Sequence, residues 1–210
     1  MTARAAGPTV YVVDDDEMFR QSLHWLLESV GLPVVTFATA AEFLETYRPG
    51  DPGCLVLDIR MPGMSGLQLQ DELAARGVRL PIVFLTAHGD VPMAVAAVKK
   101  GAVDFVQKPY NDQRLLDVVQ DALQRDADTR ATDERHQRTA GLIAAMTPRE
   151  REVMNAVVAG KTNKVIADEL GVAVKTIEAH RARMMDKMGA GSVAELVRLV
   201  TAIEGSPRSG

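Results

Sequence analysis

The chain is poor in aromatic residues: Phe, Trp and Tyr make up 4% of its 210 positions. Any core must therefore be aliphatic, and a hydrophobic content of 47% supplies enough Val, Leu, Ile, Ala and Met to build one. There is one cysteine, Cys54, which excludes an internal disulfide. It lies in the apolar run Cys54-Leu55-Val56-Leu57 and reads as a small core residue. No run approaches the ~20 apolar residues of a bilayer span, so no membrane association is expected. Residues 1–8 carry one Arg and no long apolar stretch, unlike a secretory signal. The expected compartment is the cytoplasm. An excess of positive charge is also lacking, the formal net charge being -4. Residues 1–125 hold 11 Lys/Arg against 16 Asp/Glu, and residues 146–205 hold 9 against 8. The acid sits in the N-terminal half, and neither half announces nucleic-acid binding by charge alone.

What is present is alternation. Short Val/Ile-rich runs at 10–13, 33–37, 54–57, 82–85 and 105–106 are bounded by Gly, Pro, Asp or Thr and read as strands. Amphipathic stretches at 17–30, 39–47, 67–75, 91–100 and 111–125 read as helices. Gly31, Gly77 and Gly101 fall where helix C-caps belong. Five strand–helix repeats predict an α/β fold, a doubly wound five-stranded parallel sheet covered on both faces. Such sheets bind ligands at the carboxyl ends of their strands. Residues 126–145 lose this periodicity and are rich in Asp, Arg, Thr, Ala, Gln and Glu. They read as an interdomain linker or as an extension of the preceding helix.

Residues 146–205 read as an all-α four-helix domain. Thr147-Pro148-Arg149-Glu150 combines a cap, a first-turn proline and a capping-box glutamate. A second helix starts at Thr162 and stops at Gly171; a third runs over about 174–188; Ser192 starts a fourth. Two short helices joined by a tight turn with Gly form a helix-turn-helix. The tail, residues 205–210, is expected to be disordered.

Several polar residues fall at strand ends: Asp14 and Asp15 after the first, Asp58 after the third, Thr86 at the fourth and Lys108 after the fifth. Neighbouring parallel strands lie about 4.8 Å apart, so these groups can converge. Crowded carboxylates demand a cation. Hard oxygen ligands with room for water suit Mg²⁺. A carboxylate beside Mg²⁺ and a Lys ammonium is a competent nucleophile toward phosphorus, with Thr86 available to bond phosphate oxygens. An EF-hand is excluded at residues 14–17, because its ligand spacing and central Gly are absent.

Residues 8–125 resemble response regulator receiver domains. The resemblance rests on Val12-Val13-Asp14-Asp15, Leu57-Asp58-Ile59-Arg60-Met61-Pro62-Gly63-Met64-Ser65-Gly66, Thr86-Ala87 and Lys108-Pro109. The run His88-Gly89-Asp90-Val91-Pro92-Met93-Ala94-Val95 is most similar to the FixJ-type subgroup. The resemblance implies Asp58 as phosphoacceptor. It implies Asp15, Asp58 and the Arg60 backbone carbonyl as direct Mg²⁺ ligands, and Asp14 as a ligand through water. Thr86 and Lys108 are implied as phosphoryl contacts, and Phe105 as the aromatic that rotates on switching. Haloacid-dehalogenase-like phosphatases also phosphorylate an Asp, but need a second Asp two residues on, where this chain has Arg60.

Residues 146–200 resemble the LuxR-type helix-turn-helix domain of FixJ/NarL-type regulators. The motifs are Thr147-Pro148-Arg149-Glu150-Arg151-Glu152-Val153-Met154, Gly160-Lys161-Thr162-Asn163-Lys164-Val165-Ile166-Ala167, Thr176-Ile177-Glu178-Ala179-His180-Arg181 and Lys187-Met188-Gly189. Along the third helix, Ile177, Met184 and Met188 recur at core spacing. Lys175, Glu178, Ala179 and Ala182 share another face and can enter the major groove, flanked by Thr176, Arg181 and Arg183. Lys161 and Lys164 are candidates for phosphate contacts, whereas His180 reads as a packed structural residue. The family often caps this helix with Ser or Thr where Ala173 stands.

Together these resemblances imply a two-component response regulator and transcription factor, not a metabolic enzyme. Its only chemistry is Mg²⁺-dependent self-phosphorylation and dephosphorylation at Asp58. The implied partners are a sensor histidine kinase, double-stranded DNA, RNA polymerase and a second copy of the chain on phosphorylation. Weak basicity leaves a second reading, an interaction protein whose C-terminal domain only dimerises. DNA binding that depends on Lys175 and Arg181 separates the two.

Overall fold

The computed structural model describes residues 7–87 and 91–204. His88, Gly89 and Asp90 of the FixJ-like run, and the tail at 205–210, lie outside the described residues. The chain divides into two compact units, Met1–Thr129 and Arg130–Gly210.

In the first unit five strands, β1 (Thr9–Val13), β2 (Val34–Phe37), β3 (Gly53–Asp58), β4 (Ile82–Thr86) and β5 (Asp104–Gln107), form one sheet in the order β2-β1-β3-β4-β5. Every pairing is parallel. Helices α1 (Glu17–Ser29), α2 (Ala40–Thr46), α3 (Gly66–Ala75), α4 (Val91–Lys99) and α5 (Asp112–Ala144), whose residues from Arg130 on belong to the second unit, alternate with them. Successive strand residues point to opposite faces, and this sorts the aliphatic core into two layers. Tyr11, Val13, Leu55, Leu57, Ile82 and Phe84 pack against Phe43, Leu69, Leu73 and Ala97 of α2, α3 and α4. Val10, Val12, Cys54, Val56, Val83, Leu85 and Val106 pack against Leu23 and Leu27 of α1 and Leu115, Val119 and Ala122 of α5. Local chemistry sets the helix starts. Asp16 caps α1, Thr39 caps α2, and Ser65 closes a capping box with Gln68 at α3.

Residues 126–144 belong to α5, which is helical over 33 residues. Their polar composition reflects bonding within the helix itself, as in Gln124 with Asp128 and the Thr139 hydroxyl with the Arg135 carbonyl. Asp126 bonds outside the helix; it is buried and its Oδ2 accepts from the Gly53 amide at 3.0 Å.

The second unit holds α6 (Pro148–Val158), α7 (Asn163–Leu170), α8 (Val174–Met188) and α9 (Val193–Glu204). Thr147 and Glu150 form the expected capping box, and Gly171 and Gly189 end α7 and α8 in the left-handed conformation. The core joins Val153, Met154, Val157, Ile166, Ile177, Met184, Met188, Leu196 and Val200. Ile177, Met184 and Met188 of α8 are therefore inward, as their spacing predicts.

Candidate functional site: an acidic pocket and a helix-turn-helix face

Register brings the strand ends together. Val13 pairs with Leu57, Asp58 with Leu85, and Thr86 with Gln107, so Asp14, Asp58, Thr86 and Lys108 occupy one edge of the sheet. The Lys108 amide donates to the Thr86 carbonyl at 2.7 Å, extending that edge by one rung. Lys108 Nζ then lies 2.7 Å from Asp14 Oδ2 and 2.8 Å from Asp58 Oδ1.

The two carboxylates are held from behind as well. Asp14 Oδ1 accepts from the Asp16 amide, and Asp58 Oδ2 from the Arg60 amide at 2.9 Å. The Arg20 guanidinium donates to the Asp14 carbonyl. Gly66 backs the same strand end: a Cβ there would sit 2.1 Å from the Asp58 carbonyl oxygen, so this position of the motif admits no side chain.

Asp14 is nearly inaccessible, with a side chain 1% exposed, whereas Asp15 is exposed at the rim. Burial pushes the Asp58 carboxyl above the ordinary carboxylate range, and Asp14 adds to this; Lys108 and the Arg60 amide oppose it. For Lys108, burial disfavours the ammonium, but its bonds to Asp14 and Asp58 outweigh burial and the net shift is upward. The lysine is therefore a fixed positive charge. With both carboxylates ionised, Asp14, Asp58 and Lys108 leave one negative charge over.

Thr86 is fully buried and its hydroxyl donates to the Ala87 carbonyl at 3.2 Å. Phe105 is half-buried on β5, against the α4-side core layer. No group of three His, Cys, Asp or Glu among the described residues is gathered closely enough to hold a metal by itself. Mg²⁺ does not need that: it keeps several waters and takes one or two carboxylates. Two carboxylates with surplus negative charge, and Asp15 at the rim, fit such an ion.

In the second unit, α8 leaves Lys175, Thr176, Glu178, Ala179, Ala182 and Arg183 exposed. Arg181 is half-buried, and its Nη1 donates to Asn163 Oδ1 of α7 at 2.9 Å. Lys161 pairs with Glu169 at 2.7 Å. Lys164 is exposed with no ion pair among the described residues. Ala173 provides no side-chain bond to the start of α8, which nonetheless begins at Val174. His180 is half-buried, 3.4 Å from Arg183.

Three contacts were not foreseen from sequence. Glu150 carries its carboxylate from the capping box to Lys187 Nζ, 2.6 Å away, tying α6 to the end of α8. Arg181 links α7 to α8. Phe19 lies under Lys108. Only the scarcity of aromatics, which makes any Phe next to the Asp14–Glu17 stretch conspicuous, could have drawn notice to Phe19.

A parallel sheet with an Asp-Asp-Lys cluster at its carboxyl edge, followed by a helix-turn-helix, defines a switch joined to a DNA reader. Residues 10–120 match the family described as response regulator receiver domain, and residues 144–200 match bacterial regulatory proteins, luxR family. The chain belongs to the response regulators that join a receiver domain to a LuxR-type DNA-binding domain. It is 47% identical to the transcriptional regulatory protein TdiR of Thauera aromatica, over 95% of this chain and 88% of that one. It is 45% identical to FixJ of Azorhizobium caulinodans, over 90% of each. Among solved structures it is similar to the response regulator StyR, with a TM-score of 0.84, 48% identity, and 93% of this chain and 99% of that one covered. Full-length FixJ from B. japonicum matches with a TM-score of 0.59 and 41% identity over 95% and 98% of the chains. No described helix is long and apolar enough to cross a membrane.

Proposed function

We propose that Asp58 accepts a phosphoryl group from a sensor histidine kinase, and that this drives dimerisation and promoter binding. The observation that carries the reading is Lys108 Nζ bridging Asp14 and Asp58 at hydrogen-bond distance. The switch is residues 1–125, the reader is residues 146–205, and 126–145 connect them.

Asp58 is the nucleophile, and Lys108 and Thr86 contact the phosphoryl oxygens. Asp15, Asp58, the Arg60 carbonyl and, through water, Asp14 would hold Mg²⁺, which offsets charge on the transferring group. The buried Asp14 side chain orients Lys108; the raised Asp58 carboxyl reflects a site that is costly to charge without a cation. On phosphorylation Thr86 and Phe105 shift, and the β5–α5 face becomes a dimer surface. The phosphoryl group biases an existing equilibrium through contacts made in one state only. Two α8 helices then read two half-sites, with Lys175, Glu178, Ala179 and Ala182 on the face that enters the major groove, Thr176, Arg181 and Arg183 flanking it, and Lys161 and Lys164 toward phosphates. RNA polymerase acts on the resulting complex.

Light scattering with Mg²⁺, with and without beryllium fluoride as phosphoryl mimic, tests this. The wild type is expected to shift from monomer to dimer, and Asp58→Asn to remain monomeric. A shift that survives in Asp58→Asn would remove Asp58 from the mechanism.

A further inference from the structure

Phe19 is fixed by the first turn of α1, where Asp16 Oδ1 accepts from its amide at 3.1 Å. Its half-buried ring meets Lys108 Nζ face-on, 3.9 Å from the ring centroid. Tyr110 meets the same ring edge-on, centroids 5.6 Å apart and planes at 80°. Burial, with the charges of Asp112 and Asp14, pushes the Tyr110 phenol upward, so it stays neutral and serves as a brace. One short connection therefore carries both the ammonium and the ring that steadies its platform. Lys108 has three electron-rich contacts: Asp14 Oδ2, Asp58 Oδ1 and the Phe19 ring face.

We propose that Phe19 is a positioning residue for phosphoryl transfer at Asp58: its ring face holds the Lys108 ammonium in place while the Asp58 carboxylate turns from it to attack phosphorus. This rests on the reading of Asp58 as phosphoacceptor. With acetyl phosphate as donor, a carboxylate oxygen of Asp58 attacks phosphorus and an O–P bond forms. The bond from phosphorus to the acetyl oxygen breaks, and acetate leaves with the electron pair. The charge that Asp58 offered Lys108 has then moved onto the phosphoryl oxygens, and the ammonium must turn from Oδ1 to them. Asp14 anchors it through this exchange. The negative ring face supplies a second attraction that the reaction does not consume. An aliphatic side chain of similar bulk fills the space but lacks the quadrupole.

The test replaces Phe19 in the full chain with phenylalanines bearing one, two and three ring fluorines. These keep the shape and progressively weaken the ring face as a cation partner. Phosphorylation by acetyl phosphate in Mg²⁺ is expected to slow stepwise, by about tenfold across the series, at unchanged melting temperature. Phe19→Leu should fall at or below the end of that series. In metal-free protein, the Lys108 Cε protons should resonate upfield through the ring current and return to ordinary shifts in Phe19→Leu. A flat fluorine series, or an unshifted Lys108 in the wild type, overturns the role of Phe19. A wild type that acetyl phosphate does not modify overturns the reading of Asp58, and this role with it.

Discussion

Glu150 shows how much one residue can join. It is 3% exposed, accepts from the Thr147 amide within the capping box, and pairs with Lys187 at 2.6 Å. The Lys187 bond, then the Thr147 amide, hold its pKa near 2 against an ordinary 4.5. The folded state thus binds fewer protons than the unfolded chain in that interval. The pair's contribution is complete above about pH 4.5 and drains away as pH falls toward 2. Glu150→Gln keeps the reach of the capping box and loses the charge. Hydrogen exchange should show reduced protection of α6 and α8 amides in this variant at pH 7, with the deficit shrinking by about pH 3. An equal deficit at both pH values would assign the effect to packing instead.

At the scale of elements, α8 has an evident local weakness. It begins at Ala173 without a side-chain bond to its free amides, while α6, α7 and α9 start at Thr147, Thr162 and Ser192, whose hydroxyls accept from the first turn. Ala173→Ser should stabilise the second unit by about 1 kcal/mol, a rise of roughly 4–8 °C in its melting midpoint by circular dichroism. No rise, or a fall, would mean that the hydroxyl cannot reach the amides.

Elements of this kind were largely legible in the sequence. Strand ends fell within a residue or two of their runs because Gly, Pro and Asp punctuate them, and helix starts followed their caps. The continuation of α5 through residues 126–144 was undecided, since bonds such as that of Gln124 with Asp128 leave no apolar period to read. The strand-end positions of Asp14 and Asp58 could be inferred one by one. Which of Asp14 and Asp15 turns inward could not, because both follow the same strand. Contacts between distant positions, Phe19 with Lys108 or Glu150 with Lys187, are products of tertiary packing and leave no local pattern.

For the whole molecule, charge is the feature that composition obscures. The chain is acidic overall, and even in the second unit several cations are engaged: Lys161 with Glu169, Lys187 with Glu150, Arg149 with Glu152. Lys164, exposed and with no ion pair among the described residues, can meet a phosphate. Its replacement by Ala should weaken DNA binding about equally on all sequences and lower the slope of log affinity against log salt by about 0.9, measured by anisotropy titration. A loss confined to one sequence would instead make it a base reader.

Cys54 lies at the centre of the sheet, fully buried, with burial and then the nearby Asp126 charge pushing its thiol up to about 12. It is the only thiol in the chain. Thiolate is the form that oxidants and electrophiles attack, and here it is both scarce and shielded by the sheet. The folded protein is therefore insulated from redox stress at sulfhydryl groups, and the covalent input proposed at Asp58 is not crowded by a second one of that kind.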